Sequence, residues 1–326
     1  MHARIFSLSI LLGVVGCSSE PDLVAHTTAS AALPSPAMPA PSSGDTIVVG
    51  EPYVMPSGAK SELVCVGVDV PRSAKRHVVS IVPRIDNAKI LVGMRLFQAG
   101  WSVSSVPTPC ARYETASWRL LHVWTPGAGG LELPPEAGFP EEPGTTHWAV
   151  QLQYENVLGL SSGESDRSGY ELETTEALRP NDAGVFAFGA QQPMTIPPRA
   201  KRTLTCENVL WPQWDAATIF AASVEMNRLG RSTWMQRLSP RDPTLLETLY
   251  ASSTFEPGNR PSFPISTRTG SGDVIRTRCG WENLGDEPVV VGDDADDERC
   301  LHVVAYYPDM RVPWYLPAAL SRCAVE

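Results

Sequence analysis

Histidine is scarce in this chain, with six among 326 residues, and that limits any chemistry built on imidazole. Basic residues are short as well. Lys and Arg total 26 against 36 Asp and Glu, a net charge of −10 that phosphate backbones repel, so nucleic acid is disfavoured as a partner. Beyond an apolar run at the N-terminus no long hydrophobic stretch occurs, so no further membrane segment is expected. No internal repeat at solenoid periods is visible either. Proline and glycine, by contrast, are plentiful: 30 and 25 residues interrupt the chain every few positions. Long helices are therefore scarce, and an all-β body is expected. A hydrophobic fraction of 43% with 19% charged residues allows a real core, and the length suits about two domains.

The N-terminus reads as a bacterial export signal. A short basic start with Arg4 precedes the apolar run Ile5 to Val15, which is too short to span a membrane as a mature helix. The run ends in Val14-Val15-Gly16-Cys17, which looks like a lipobox, so residues 1–16 are expected to be cleaved and Cys17 lipidated. Ser18 after the cysteine favours the outer membrane. Residues 17–44 are nearly all Ser, Thr, Ala and Pro, a composition that buries too little to order itself and suits a semi-extended tether.

From about Asp45 onward, short β-rich runs alternate with turn clusters. Leu63–Val70, His77–Val82, Trp148–Tyr154 and Gly184–Gly189 form one set, and Thr218–Val224, Val274–Cys279 and Leu301–Tyr307 a second. A proline-rich link near Pro193 to Pro198 divides them. Two antiparallel β-sandwiches in series are expected, at residues 45–192 and 193–326. With Cys17 taken by lipid, six cysteines remain: Cys65, Cys110, Cys206, Cys279, Cys300 and Cys323. In an exported chain they are expected to form disulfides, and spacing alone leaves fifteen pairings open.

A string of short motifs then runs in one order along residues 60 to 323. It includes Cys65-Val66-Gly67-Val68, His77-Val78-Val79, and Met94-Arg95-Leu96-Phe97-Gln98. The loop Trp124-Thr125-Pro126-Gly127-Ala128 with Leu131-Glu132-Leu133-Pro134 follows, then Tyr154-Glu155-Asn156, Leu229-Gly230-Arg231, and Cys300 with Tyr306-Tyr307-Pro308. In these the chain resembles the type II copper, ascorbate-dependent monooxygenases, the family of dopamine β-hydroxylase and peptidylglycine α-hydroxylating monooxygenase. The resemblance implies two jelly-roll-like sandwiches, stapled by Cys65–Cys110, Cys206–Cys323 and Cys279–Cys300, with two copper sites facing each other across a cleft. Copper and ascorbate are the cofactors it implies.

At the positions to which the resemblance assigns copper ligands, this chain differs throughout. The His-His-Met motif reads Val92-Gly93-Met94, and the third histidine of the first site is Gln153. In the second site the His-x-His reads Glu225-Met226-Asn227, and the methionine is Arg299. The body keeps only His77, His122, His147 and His302, fewer than the five histidines that two such coppers use. Neither metal nor cofactor is therefore expected, and catalytic residues are expected to be absent. Compensation is expected at the second site, with Arg299 pairing to Glu225 and Asn227 adding a hydrogen bond. The first site is expected to be apolar or glycine-tight.

Other patterns carry less. Gly159-Leu160-Ser161-Ser162-Gly163 matches a nucleophile elbow in letters only, since a polar loop surrounds it. Asp293 to Glu298 offers oxygen ligands for Ca²⁺ but lacks EF-hand spacing, and a solvated acidic loop is expected. His302 is expected to pack in the core. Trp101, Trp118, Trp211, Trp214 and Trp314 are expected to pack rather than form a stacking platform. The expected function is that of a lipid-anchored, non-catalytic binding or partner protein of the cell envelope, with a protein or small molecule in the interdomain cleft. The alternative is an active copper monooxygenase with a remodelled site. Replacing Cys17 by Ala is expected to leave the protein soluble or unprocessed, as read by membrane fractionation; wild-type recovery in membranes contradicts the anchor.

Overall fold

The computed structural model describes residues 46–110, 117–190, 193–214, 216–240, 242–256, 262–292, 294 and 297–326. The expected signal peptide, Cys17 and the expected tether lie outside the described residues, as do Asp293, Ala295 and Asp296 of the acidic loop. Among those described, the helical elements are two short ones, Pro212–Trp214 and Leu316–Ala319; nearly everything else regular is strand, as the proline and glycine density requires.

Two main sheets form the first half, beside a two-stranded pair of Tyr53–Val54 with Ser165–Asp166. One runs in the order Thr46–Val49, Gly169–Thr175, Arg76–Arg84, Ala137–Glu141, Asn181–Asp182, with Leu131–Glu132 also paired to Arg76–Arg84. The other runs Thr108–Pro109, Ser61–Arg72, Gly144–Glu155, Leu91–Ala99, Arg119–Trp124. The Gly144–Glu155 strand is central in its sheet, and its residues from Trp148 to Tyr154 are buried on both faces. Trp148, Val150, Leu152 and Tyr154 point one way. Ala149, Gln151 and Gln153 point the other, which is the face that matters below.

The second half also has two main sheets. The five-stranded one runs Asp242–Ser252, Gly230–Ser239, Val274–Asn283, Ala200–Val209, Arg322–Val325. The four-stranded one runs Gly184–Gly189, Leu301–Tyr307, Thr218–Glu225, Phe263–Arg268. Here the structure corrects the sequence reading. Gly184–Gly189, grouped above with the first set, pairs antiparallel with Leu301–Tyr307, from Gly184 opposite Tyr306 to Gly189 opposite Leu301.

The reason lies in the two faces of that strand pair. Phe186, Phe188, Val304 and Tyr306 belong to the core of the second half. Val185, Ala187, Leu301, Val303 and Ala305, on the opposite face, belong to the core of the first. A strand apolar on both faces reads as a continuous hydrophobic run, and nothing in such a run says which sheet it joins. All described residues fall in one compact unit, whose two cores meet on the two faces of this shared sheet.

Three disulfides staple the frame: Cys65–Cys110, Cys206–Cys323 and Cys279–Cys300, the pairings that the resemblance implies. Their Cα atoms are 5.7, 4.1 and 5.8 Å apart. The shortest belongs to two residues directly opposite each other on neighbouring strands. Cys279–Cys300 ties the five-stranded sheet to the residue before Leu301–Tyr307, and so holds the two layers of the second half together. Loops of this length suggest about 3–5 kcal/mol of stabilisation per bridge.

Candidate functional site

Along Leu91–Ala99, the residues Gly93, Arg95 and Phe97 alternate with Met94 and Leu96, so Gly93 and Arg95 share one face of the strand. Register places Gln153 opposite Gly93 and Gln151 opposite Arg95. A charged residue in the middle of Leu-Val-Gly-Met-Arg-Leu-Phe must find partners or pay heavily for leaving water. Arg95 finds them across the molecule. Its Nε donates to Glu225 Oε1 at 2.9 Å and its Nη2 to Glu225 Oε2, while Nη1 donates to Gln151 Oε1 at 2.8 Å. This is a bidentate guanidinium–carboxylate pair, with both side chains at least nine-tenths buried. It joins the first half to the end of Thr218–Glu225 in the second.

Glu225 also attracts Arg299, whose Nη1 lies 3.6 Å from Glu225 Oε2. The expected ion pair therefore forms, but as the weaker of two. Arg95, unremarked in the sequence reading, takes the fork. Arg299 is almost fully buried; its Nη2 donates to the Asp294 carbonyl at 3.1 Å, and its Nε and Nη1 have no hydrogen-bond partner.

Asn227 departs from its expected role. Rather than bonding Glu225, its Nδ2 donates to the Asp297 carbonyl, and its backbone N–H donates to Glu298 Oε2 at 3.0 Å. Glu298 Oε1 accepts the Leu229 N–H at 2.7 Å. Glu298 is 1% exposed, so the acidic segment is not solvated throughout. Its last residue is an internal anchor for the chain around Asn227. Two guanidiniums and two carboxylates, Arg95, Arg299, Glu225 and Glu298, thus balance in charge within the interior.

At the positions to which the resemblance assigns the first copper site, Val92 is half-buried, Gly93 is buried and Gln153 is 4% exposed. A Cβ placed on Gly93 would meet Gln153 Oε1 at 3.6 Å and the Trp124 carbonyl at 3.8 Å, ordinary contacts. The position is therefore not glycine-tight. Tyr170 stands beside this strand, its hydroxyl donating to the Met94 carbonyl at 3.2 Å. Burial pushes its phenol well above the usual range, with Arg95 acting to lower it and Glu225 to raise it.

The four histidines of the body are dispersed. His77 Nδ1 accepts the Arg179 N–H at 3.0 Å and Nε2 lies 2.9 Å from Asp182 Oδ1, so the Nε2–H tautomer donates to the carboxylate. His147 pairs with Asp69 at 2.7 Å. His122 is buried, with Nδ1 3.4 Å from the Tyr170 hydroxyl, and burial lowers its pKa to about 4. His302 is fully buried against Tyr250 and the Cys279 sulfur, a core histidine, and burial lowers its pKa to about 3. Among the described residues, one group of three His, Cys, Asp or Glu donors converges: Cys279, Cys300 and His302. Both of those cysteines are in the disulfide.

Residues 181–315 match the family model described as copper type II ascorbate-dependent monooxygenase, C-terminal domain. The chain is 26% identical over 311 residues to dopamine beta-hydroxylase of Bos taurus, covering 86% of this chain and 49% of that one. It is 25% identical over 204 residues to MOXD1 homolog 1 of Drosophila melanogaster, covering 58% and 28%. To peptidyl-glycine alpha-amidating monooxygenase of Mus musculus it is 23% identical over 291 residues, covering 85% and 28%. Over residues 181–315 the chain is similar to the copper type II ascorbate-dependent monooxygenase family. It spans about half or less of the length of these relatives.

Beside the shared sheet, the described residues leave a small crevice. The crevice walled by Leu121, Val123, Val185, Ala222 and Val303 holds about 30 Å³. The elbow-like Gly159–Gly163 is a polar turn in which Ser162 Oγ donates to the Gly159 carbonyl at 3.4 Å, not a strand entering a helix. Of the tryptophans, Trp118, Trp214 and Trp314 are packed, Trp211 is half-buried, and Trp101 is 53% exposed.

Two predictions follow from the buried groups. Arg95→Met should cost about 3–5 kcal/mol in urea unfolding, because it strands Glu225. In a double-mutant cycle with Glu225→Gln the coupling should reach about 1–3 kcal/mol, and additivity within about 0.5 kcal/mol contradicts the pair. The histidines set a pH dependence. Below 6.5 the unfolded chain binds protons that native His122 and His302 refuse down to about 4 and about 3, so stability falls as pH drops through that window. At pH 5 the loss is on the order of 2 kcal/mol per histidine. Unfolding midpoints at pH 7 and 5 should therefore differ less in His122→Gln than in the wild type; equal differences contradict the assignment.

Proposed function

We propose that this chain is a non-catalytic member of its family, an exported and lipid-anchored binding protein in which other side chains have taken over both sets of copper-ligand positions. The observation that carries the reading is Glu225, a carboxylate held by two buried guanidiniums at a position the family gives to an imidazole. Copper of this type needs neutral imidazoles and a soft thioether. A carboxylate already paired twice does not fit that requirement, and the positive charge of Arg299 opposes any metal cation beside it. At the first set, Val92 and Gly93 carry no side-chain donor, and the Gln153 amide is a hard, neutral oxygen. The residues present do not fit copper, and no chemical step is derived through it.

The lipobox ending at Cys17 and the tether to residue 44 point to the cell envelope, by way of the outer membrane. A ligand is then bound elsewhere at the junction, or on an outer face.

Purified protein titrated with Cu(II), and separately with Cu(I), then passed over a desalting column, should retain less than stoichiometric copper. It should also consume no O₂ above the background of ascorbate with free copper. One tightly held copper per chain together with ascorbate-dependent O₂ uptake overturns the proposal.

A further inference from the structure

Away from the Arg95–Glu225 pair, the two halves frame an open cleft of about 630 Å³. One wall comes from the first half at Trp118, Arg119, Pro140 and Glu142. The other comes from the segment Asp309 to Tyr315, which returns across the junction after the last strand of the shared sheet. That segment is well fixed. The Asp309 N–H donates to the Asp182 carbonyl at 2.8 Å, and the Ala187 N–H donates to the Trp314 carbonyl at 2.8 Å. The cleft volume falls within the ~300–1,000 Å³ of small-molecule sites.

Its chemistry narrows the ligand. Every charged side chain among the described lining residues has an opposite charge nearby. Arg119 pairs with Asp309 at 2.9 Å, Arg311 with Asp182 at 3.7 Å, and Glu142 with Lys75 at 3.7 Å. A charged ligand would have to break one of these pairs to gain its own, for little net return. Yet these same groups retain lone pairs and N–H donors, since a carboxylate accepts about four hydrogen bonds and a guanidinium donates five.

The rest of the wall is apolar and aromatic: Trp118, Trp314 and Tyr315, with Pro140, Val185 and Pro313 between them. Trp118 and Trp314 are 5% and 8% exposed, and neither indole N–H has a hydrogen-bond partner. The cleft therefore suits a neutral molecule with apolar faces and a rim of hydroxyls. A pyranose ring has that shape, with C–H faces for aromatic rings and equatorial hydroxyls for paired charges.

We propose that this cleft binds a short neutral oligosaccharide, with Tyr315 as the accessible aromatic contact and Arg311 and Glu142 as hydroxyl partners. The proposal deepens the reading of the chain as a binding protein and rests on it. Isothermal titration of the folded body with maltotriose, cellotriose and triacetylchitotriose tests it, with trigalacturonate and deacetylated chitotriose as anionic and cationic probes. At least one neutral trisaccharide should bind, and Tyr315→Ala should weaken it about tenfold, with the unfolding midpoint unchanged. Arg311→Ala, at an exposed side chain, should weaken binding without affecting folding.

Three results overturn the proposal: no neutral trisaccharide binding at millimolar concentration, tighter binding of either charged probe, or binding indifferent to both substitutions. The titration is run without copper. Failure here leaves the non-catalytic reading standing, whereas a catalytic copper would remove that reading without touching a measured sugar affinity.

Discussion

The guanidinium of Arg95 and the carboxylate of Glu225 leave water together, and the arrangement around them follows from that. Neither charge is tolerable alone in the interior, so the two strands that carry them must stay in register across the junction between the halves. Gln151 takes one remaining Arg95 N–H. Arg299 adds a second cation to Glu225, and Glu298 ties the neighbouring chain down through two backbone N–H groups. Such a network gives less stability than an apolar core of equal volume would, but it fixes one relative placement, because any shift leaves a buried charge uncompensated.

The shared sheet makes that placement possible. Phe186 and Phe188 pack into one core while Val185 and Ala187 pack into the other, so the Gly184–Gly189 strand has no face for solvent. The halves are then not free to open about a wet cleft beside this sheet. An open volume lies instead at the edge, between the Asp309–Tyr315 segment and the Trp118–Arg119 strand end.

How much of this was legible in the sequence depended on whether a residue's partner was local or implied by the family pattern. The all-β body followed from proline, glycine and alternation, and the three disulfides from the resemblance. The Glu225–Arg299 approach followed from treating three substitutions as one event. Arg95 was missed although its signal was present, since a lone arginine inside a seven-residue apolar strand must be paired somewhere. Its partner lies 130 positions away, beyond any local pattern. Glu298 was hidden differently, at the end of an acidic run whose other members suggest solvent. The strand at Gly184 was misplaced because a run buried on both faces carries no period to orient it.

The central proposal is that guanidinium groups stand at the positions to which the resemblance assigns the second copper site. Crystals grown from protein incubated with excess copper, with data collected on both sides of the copper absorption edge, test it most directly. The account predicts no anomalous peak among Glu225, Asn227 and Arg299, and continuous density joining Arg95 to Glu225. A strong copper peak at that position, with Arg95 or Arg299 swung aside and Glu225 as a ligand, would contradict it.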